Sequence, residues 1–232
     1  MNLLRAASTI SLFTLASRVT GLARDVVVAS AFGAGASLDA FNVAFRIPNL
    51  LRRLFGEGAF TQAFVPTLAH VRASEGDEAT RRMIDAVATV LFCVLVATCV
   101  VGVIAAPIVV WLMASGLVRF DQAVVMTRIM FPYIGLISLV SLSAGILNTW
   151  KRFAVPAATP VLLNVAMIGG IWAFSPLCER WGLPAIYALA AGVMVGGVLQ
   201  LAVQFPALAR AGCVPRLRRT DDAAGWECGR RR

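Results

Sequence analysis

Residues 46–60 read RIPNLLRRLFGEGAF: three arginines, a glutamate and a proline in a chain that is otherwise mostly hydrocarbon. Two readings compete. The segment is either a solvated loop between membrane helices, or a crossing segment whose charges line a site. The choice decides the fold, because it sets how many times the chain crosses the bilayer.

The surrounding composition frames that choice. The chain has 232 residues, 59% of them hydrophobic and only 14% charged, whereas soluble domains carry about a quarter charged residues. Runs without a charged side chain extend from Ala86 to Val118, Ile129 to Trp150, Phe153 to Cys178 and Gly182 to Ala209. A helix needs about 20 such residues to cross the hydrocarbon core, so each run is long enough to span once. The net charge of +9 comes from twenty arginines and one lysine against twelve acids. In a soluble protein that excess suggests nucleic acid. Here many arginines sit at the ends of apolar runs, so the membrane reading is better and no nucleic-acid partner is expected. Cys93, Cys99, Cys178, Cys213 and Cys228 show no metal-ligand spacing and read as small apolar side chains. His70 reads as an interfacial polar residue. The N-terminal apolar stretch has no small-residue cleavage site. No cofactor, metal or catalytic residue is expected.

The expected fold is all-α: a polytopic transmembrane bundle of about six membrane helices, at about 8–31, 38–70, 84–114, 122–148, 156–176 and 184–208. Residues 1–209 form the transmembrane lobe and 210–232 a basic tail. Arg5, the loop 71–82, Lys151, Arg152 and the tail arginines fall on one side, and the turn near Gly33 and the loops around Arg119 and Arg180 on the other. The positive-inside rule then puts both termini in the cytoplasm, as an even number of crossings requires. Gly192 and Gly196 form a small-xxx-small face expected to make a helix contact. Pro107, Pro132, Pro160 and Pro206 are expected to bend helices at most.

The first two segments carry the charge. On a helical wheel Thr14, Ser17, Arg18, Gly21, Arg24 and Asp25 share an arc of about 120°, while Leu12, Leu15, Val19, Leu22, Val26 and Val27 fill the rest. The second segment repeats the design, with Asp39, Asn42, Arg46, Asn49, Arg53, Gly56 and Glu57 on one face and Arg52 just outside it. Pro48 removes a backbone donor within that helix. Three readings of the stripes stand side by side: amphipathic helices on the membrane surface, a structural salt-bridge seam, or a hydrated cavity that binds an anion. Arg18, Arg24, Arg46, Arg52 and Arg53 outnumber Asp25, Asp39 and Glu57. A charge at membrane depth costs at least ~2.5 kcal/mol, so a cationic surface facing a cavity accounts best for the excess. The planar fork of arginine matches phosphate oxygens bidentately, and transporters bind cargo near the midplane.

The stretches 17-SRVTGLARD-25, 32-FGAGASLDAFNVAFRIPNLLRRLFGEGAFTQAFVP-66, 131-FPYIGLISL-139, 145-GILNTWKRFAVPA-157 and 196-GGVLQL-201 closely resemble the bacterial MurJ (MviN) family. These are lipid II flippases of the multidrug/oligosaccharidyl-lipid/polysaccharide exporter superfamily. The resemblance runs from Met1 to about Arg219 and implies a multi-pass protein of the bacterial cytoplasmic membrane. It implies transport without covalent chemistry: the headgroup of lipid II, a disaccharide-pentapeptide on a polyprenyl diphosphate, moves from the cytoplasmic to the periplasmic leaflet for cell wall synthesis. Two helical lobes alternate access around a cationic cavity. The implied substrate-binding positions are Arg18, Arg24, Asp25, Asp39, Arg52 and Arg53, with Arg46 and Glu57 nearby and Asn164 at a polar cavity position. Arg18, Arg24 and Arg52 are the expected diphosphate-facing cations. The implied partners are lipid II, the surrounding membrane lipids and a second transporter lobe. Family members are about twice this length, so the expectation is one lobe of such a flippase; the alternative is a non-transporting remnant, or a module that works only with a second lobe.

Overall fold

The computed structural model describes the backbone of residues 3–56 and 59–216 and the side chains of residues 7–50 and 62–216. Glu57, Cys228, the side chains of Arg5, Arg52 and Arg53, and residues 217–232 of the expected tail lie outside the described residues. Within them the chain forms eight α-helices: α1 (Leu3–Phe32), α2 (Ala36–Gly56), α3 (Ala59–Ser74), α4 (Gly76–Met113), α5 (Phe120–Met130), α6 (Pro132–Thr149), α7 (Ala154–Arg180) and α8 (Tyr187–Ala211). No strand occurs among the described residues. The fold is an all-α transmembrane bundle. Four stretches are long and apolar enough to cross a membrane: α4, α5 with α6, α7 and α8. The helices with the charged stripes, α1 and α2, fall short of that hydropathy, because each gives part of its circumference to polar side chains.

The breaks between helices have local causes. α1 ends where Gly33 takes a φ of +62°, a left-handed conformation that costs glycine little, and its N–H donates to the Ala29 carbonyl at 2.9 Å. α5 stops before Pro132, which has no N–H to continue the ladder and instead occupies the first turn of α6. The stretch 38–70 is helical on both sides of residues 57–58, as α2 and α3. The connection expected over residues 71–82 is almost wholly helical, broken only near Glu75 and Gly76, where φ is +83°. Asp77 and Glu78 sit in the first turn of α4, where carboxylates favour the helix dipole. Glu78 also pairs with Arg82 one turn on, and that guanidinium holds the Glu78 carboxyl below its ordinary range. The 38 residues of α4 span about 57 Å at 1.5 Å per residue, so its first turns project beyond the hydrocarbon. The expected tail likewise begins inside the last turn of α8, which runs to Ala211.

Packing divides into two cores. One gathers Phe41 and Ala44 of α2, Met126 and Met130 of α5, Tyr133 and Ile137 of α6, Met167 of α7 and Leu189 and Val193 of α8. The other, toward the opposite end, gathers Phe64 and Leu68 of α3, Ile84 of α4, Leu142 and Ile146 of α6, and Leu208 of α8. Polar ties close that second end. The Arg72 guanidinium lies 4.1 Å from the centroid of the Trp150 ring and donates to the Thr149 carbonyl at 3.2 Å. Asp85, largely buried, accepts the Arg216 backbone N–H at 2.8 Å, which holds the segment leaving α8 against α4. Cys213 in that segment is buried, and burial pushes its thiol above the ordinary range. Outward faces are apolar: Leu12, Leu15, Val19, Leu22 and Val26 on α1, and Val101, Ile104, Ile108, Trp111 and Leu112 on α4, are all at least half exposed, as surfaces covered by hydrocarbon are.

Helices α7 and α8 pack backbone against backbone. A Cβ built on Gly170 would lie 2.8 Å from the Gly192 Cα, and one on Gly192 would lie 3.1 Å from the Met167 Cα. A Cβ on Gly196 would lie 2.7 Å from Leu163 Cδ1, so the face predicted from Gly192 and Gly196 is a helix contact. Gly169, one residue earlier than Gly170, has nothing within 4 Å of the same construction. Replacing Gly170 with alanine forces backbone against backbone and should lower stability by about 1–3 kcal/mol, whereas Gly169→Ala should leave it unchanged or slightly raised. Thermal unfolding of the two variants in detergent checks this. Equal melting temperatures would mean that α7 and α8 do not meet as closely as described.

Candidate functional site

A cleft of about 650 Å³ opens between α1, α2, α6, α7 and α8. Beside the apolar Ile10 and Phe13, its α1 wall is built from Thr14, Ser17, Arg18, Gly21 and Arg24. These are five of the six residues that share one arc of the helix, so the stripe read from the 100° period is the surface turned to the cleft. Asn49 of α2, Ser141 and Asn148 of α6, Thr159 and Asn164 of α7, and Gln200 of α8 supply neutral polar groups, and Phe45, Ile137, Val140 and Leu163 supply apolar wall.

Arg24 is the most constrained cation of the cleft. Its Nε and Nη2 both donate to Asp25 Oδ1, at 3.0 and 2.7 Å. Its Nη1 donates to Asn164 Oδ1 at 2.9 Å. The Asn164 Nδ2 in turn donates to the Ser17 carbonyl at 3.1 Å and to Thr20 Oγ1 at 3.2 Å. Arg24 has a quarter of its side chain exposed and Asp25 about two thirds, whereas Asn164 is buried. Arg18 lines the same cleft, is exposed, and forms no ion pair among the described residues. Two guanidinium groups therefore share the α1 wall with one carboxylate, and positive charge remains. In surroundings of low dielectric that surplus attracts an anion far more strongly than it would in water.

The other candidates are placed less centrally. Asp39 and Arg46 are exposed on α2, and neither lines the cleft; Asn49, further along the same stripe, does. The side chains of Arg52 and Arg53, and Glu57, are outside the described residues. Among the described residues no three His, Cys, Asp or Glu side chains gather to hold a metal.

Charge-based reading missed the glutamine amide that α8 brings to the cleft. Gln200 is buried, lines the cleft, and donates from Nε2 to the Thr159 carbonyl at 2.7 Å. That tie falls beside Pro160, which lacks the N–H that the Pro156 carbonyl would otherwise receive. The Thr159 hydroxyl donates to that carbonyl instead, at 2.8 Å. Gln200 and Gln204, one turn apart in the uncharged run 182–209, were the available signal: two amides in an otherwise apolar helix. Arg24→Leu should strand the Asn164 carbonyl oxygen in a buried position and lower stability by about 1–3 kcal/mol. The fall is measurable as a lower melting temperature in detergent, and an unchanged value would show that the bond to Asn164 is not made.

The comparisons with known proteins agree on a single family. The family model for the lipid II flippase MurJ matches residues 28–226. A protein described as lipid II flippase MurJ from Burkholderia cenocepacia is 54% identical over 219 residues, covering 93% of this chain and 42% of that protein. A probable lipid II flippase MurJ from Vibrio cholerae is 43% identical over 225 residues, covering 92% of this chain and 42% of its own length. Among solved structures, the inward closed conformation of a lipid II flippase MurJ superposes with a TM-score of 0.74 at 27% identity, over 90% of this chain and 42% of that one. The chain thus spans about two fifths of the length of the relatives it matches.

Proposed function

The chain belongs to the lipid II flippase MurJ family, and from that premise we propose that its cleft receives the diphosphate of a polyprenyl-linked peptidoglycan precursor, lipid II, during transfer across the bacterial inner membrane. The observation that carries this reading is the pairing of Arg18 and Arg24 on one wall of a cleft of about 650 Å³, with Asp25 the one acid bonded to either among the described residues. A diphosphate brings closely spaced anionic oxygens, and two guanidinium forks less than two turns apart on one helix face match them. Asn49 and Asn148 add the neutral donors and acceptors that sugar hydroxyls and peptide groups use. Asp39 and Arg46, on α2 outside the cleft itself, and Arg52, Arg53 and Glu57 are further proposed substrate-binding positions, with Arg52 the third diphosphate-facing cation.

The proposed activity is transport by alternating access, with no covalent step. In the proposed topology both termini face the cytoplasm, as the loop charges favour, and the headgroup enters from the cytoplasmic leaflet and leaves to the periplasmic one. The cleft opens on several neutral and apolar walls of one lobe. A second lobe, a separate chain or another copy, is the proposed surface against which it closes.

Complementation tests the proposal. A strain depleted of its lipid II flippase receives this chain alone, or this chain together with the remaining three fifths of the Burkholderia cenocepacia relative as a separate polypeptide. Growth and normal cell shape are expected to return with both pieces. Arg18→Ala and Arg24→Ala should each abolish the rescue without reducing the protein in the membrane fraction. Undiminished rescue by the Arg18→Ala, Arg24→Ala double variant overturns the assignment of the site, and absence of rescue in every arm overturns the transport reading.

A further inference from the structure

Asn164 was expected to touch substrate, but its bonds point elsewhere. An asparagine side chain offers two N–H donors and one carbonyl oxygen. Here the oxygen accepts from Arg24 Nη1, and Nδ2 donates to the Ser17 carbonyl and to Thr20 Oγ1. The orientation of the amide is forced: a guanidinium only donates and a backbone carbonyl only accepts, so the reversed amide would break both bonds. All three partners lie on α1, while Asn164 itself is on α7, and α1 packs chiefly against α7. The amide enters beside Gly21, where a Cβ would lie 3.6 Å from Nδ2, so that any side chain longer than alanine would press on it.

We propose that Asn164 is a positioning residue that locks the register of α1 on α7 and aims the Arg24 guanidinium into the cleft without cancelling its charge. This rests on the reading of the cleft as a diphosphate site. Ser17, Thr20 and Arg24 sit at i, i+3 and i+7 on one helix face. A slip of α1 by one turn, about 5.4 Å, breaks all three bonds together. The chemistry of the amide matters as much as its place. A carboxylate at position 164 would hold Arg24 more strongly, yet with Asp25 it would give that guanidinium two negative partners and remove the surplus charge that an anion needs. A neutral oxygen fixes the direction of the guanidinium and leaves its charge available. Of the five N–H groups of Arg24, Asp25 and Asn164 engage three, and the remaining two, one on each Nη, are left for a ligand.

The test uses the full chain in lipid nanodiscs, with two independent readouts: amide hydrogen exchange of α1, and the affinity for farnesyl diphosphate as a short-tailed probe of the diphosphate. Asn164→Leu should speed exchange over residues 14–28 while α4 and α8 stay as protected as before, and should weaken probe binding about tenfold, as expected for a misaligned charge-assisted contact. Thr20→Val, which removes one acceptor and keeps the side-chain shape, should speed α1 exchange to a smaller degree and serves if the leucine variant does not fold. Asn164→Asp should also weaken probe binding about tenfold, although it gives Arg24 a charged partner. Asn164→Gln, which keeps the amide, should recover most of the affinity lost in Asn164→Leu. Unchanged α1 exchange in both Asn164→Leu and Thr20→Val overturns the register lock. Wild-type affinity in Asn164→Asp overturns the claim that neutrality matters. Failure of the wild-type chain to bind the probe overturns the diphosphate reading instead, and the exchange experiment still decides whether Asn164 holds α1.

Discussion

The arrangement depends on the approach of α7 to α8. Gly170 and Gly192 let the two backbones come within a distance at which neither residue could carry a side chain without displacing the other helix. In hydrocarbon there is no hydrophobic gain from bringing two apolar helices together, so such contact rests on close packing and on what small residues permit. With α7 fixed in this way, Asn164 has a defined position, and through Asn164 so does Arg24 on α1. Gln200 on α8 reaches Thr159 on α7 across the same interface. A stripe of missing side chains at one interface therefore sets where the charge of a different helix points.

The cost of charge at membrane depth explains the rest of the architecture. The apolar helices α4 and α7 turn large faces outward, Ile104 and Trp172 being about three quarters exposed, and bury their small or polar groups inward. α1 does the opposite with its charges. Arg18 and Arg24 face a cleft lined by amides and hydroxyls, and the apolar half of the same helix faces out. Charge is tolerated there because the cleft and its dipoles replace part of the hydration that lipid would remove. The arrangement suits a ligand that arrives with its own negative charge, which is the character of the precursor proposed for this member of the MurJ family.

Legibility in the sequence follows the range of the interaction concerned. The polar part of the α1 wall was legible in the sequence, because helical periodicity is a local property and Thr14, Ser17, Arg18, Gly21 and Arg24 lie within three turns, whereas Ile10 and Phe13, which also line it, carried no charge to mark them. The same reasoning applied to α2 placed Asp39 and Arg46 on the stripe but not their distance from the cleft, where Asn49 alone of that stripe lies among the described residues. Helix ends were read less well. The acids of the 71–82 segment, taken as solvated loop, start α4 as favourable first-turn residues, since the same charges suit a loop and a helix N-terminus equally. Gln200 escaped notice because a neutral amide changes neither net charge nor hydropathy enough to interrupt an apolar run.

The sequence by itself determined that this chain is an all-α membrane bundle, that its cationic stripes lie on its first two helical segments, and that one face of α1 would be polar. Each of these follows from composition and period, which are properties of neighbouring residues. Only the tertiary structure decided that Asn164, 140 positions from Arg24 along the chain, holds that guanidinium, and that Asp25 engages one edge of it and leaves two N–H groups over. A hydrogen bond is satisfied or lost over a few tenths of an ångström. Distances of that order between α1 and α7 are set by how closely α7 meets α8, which no pattern along a single helix contains.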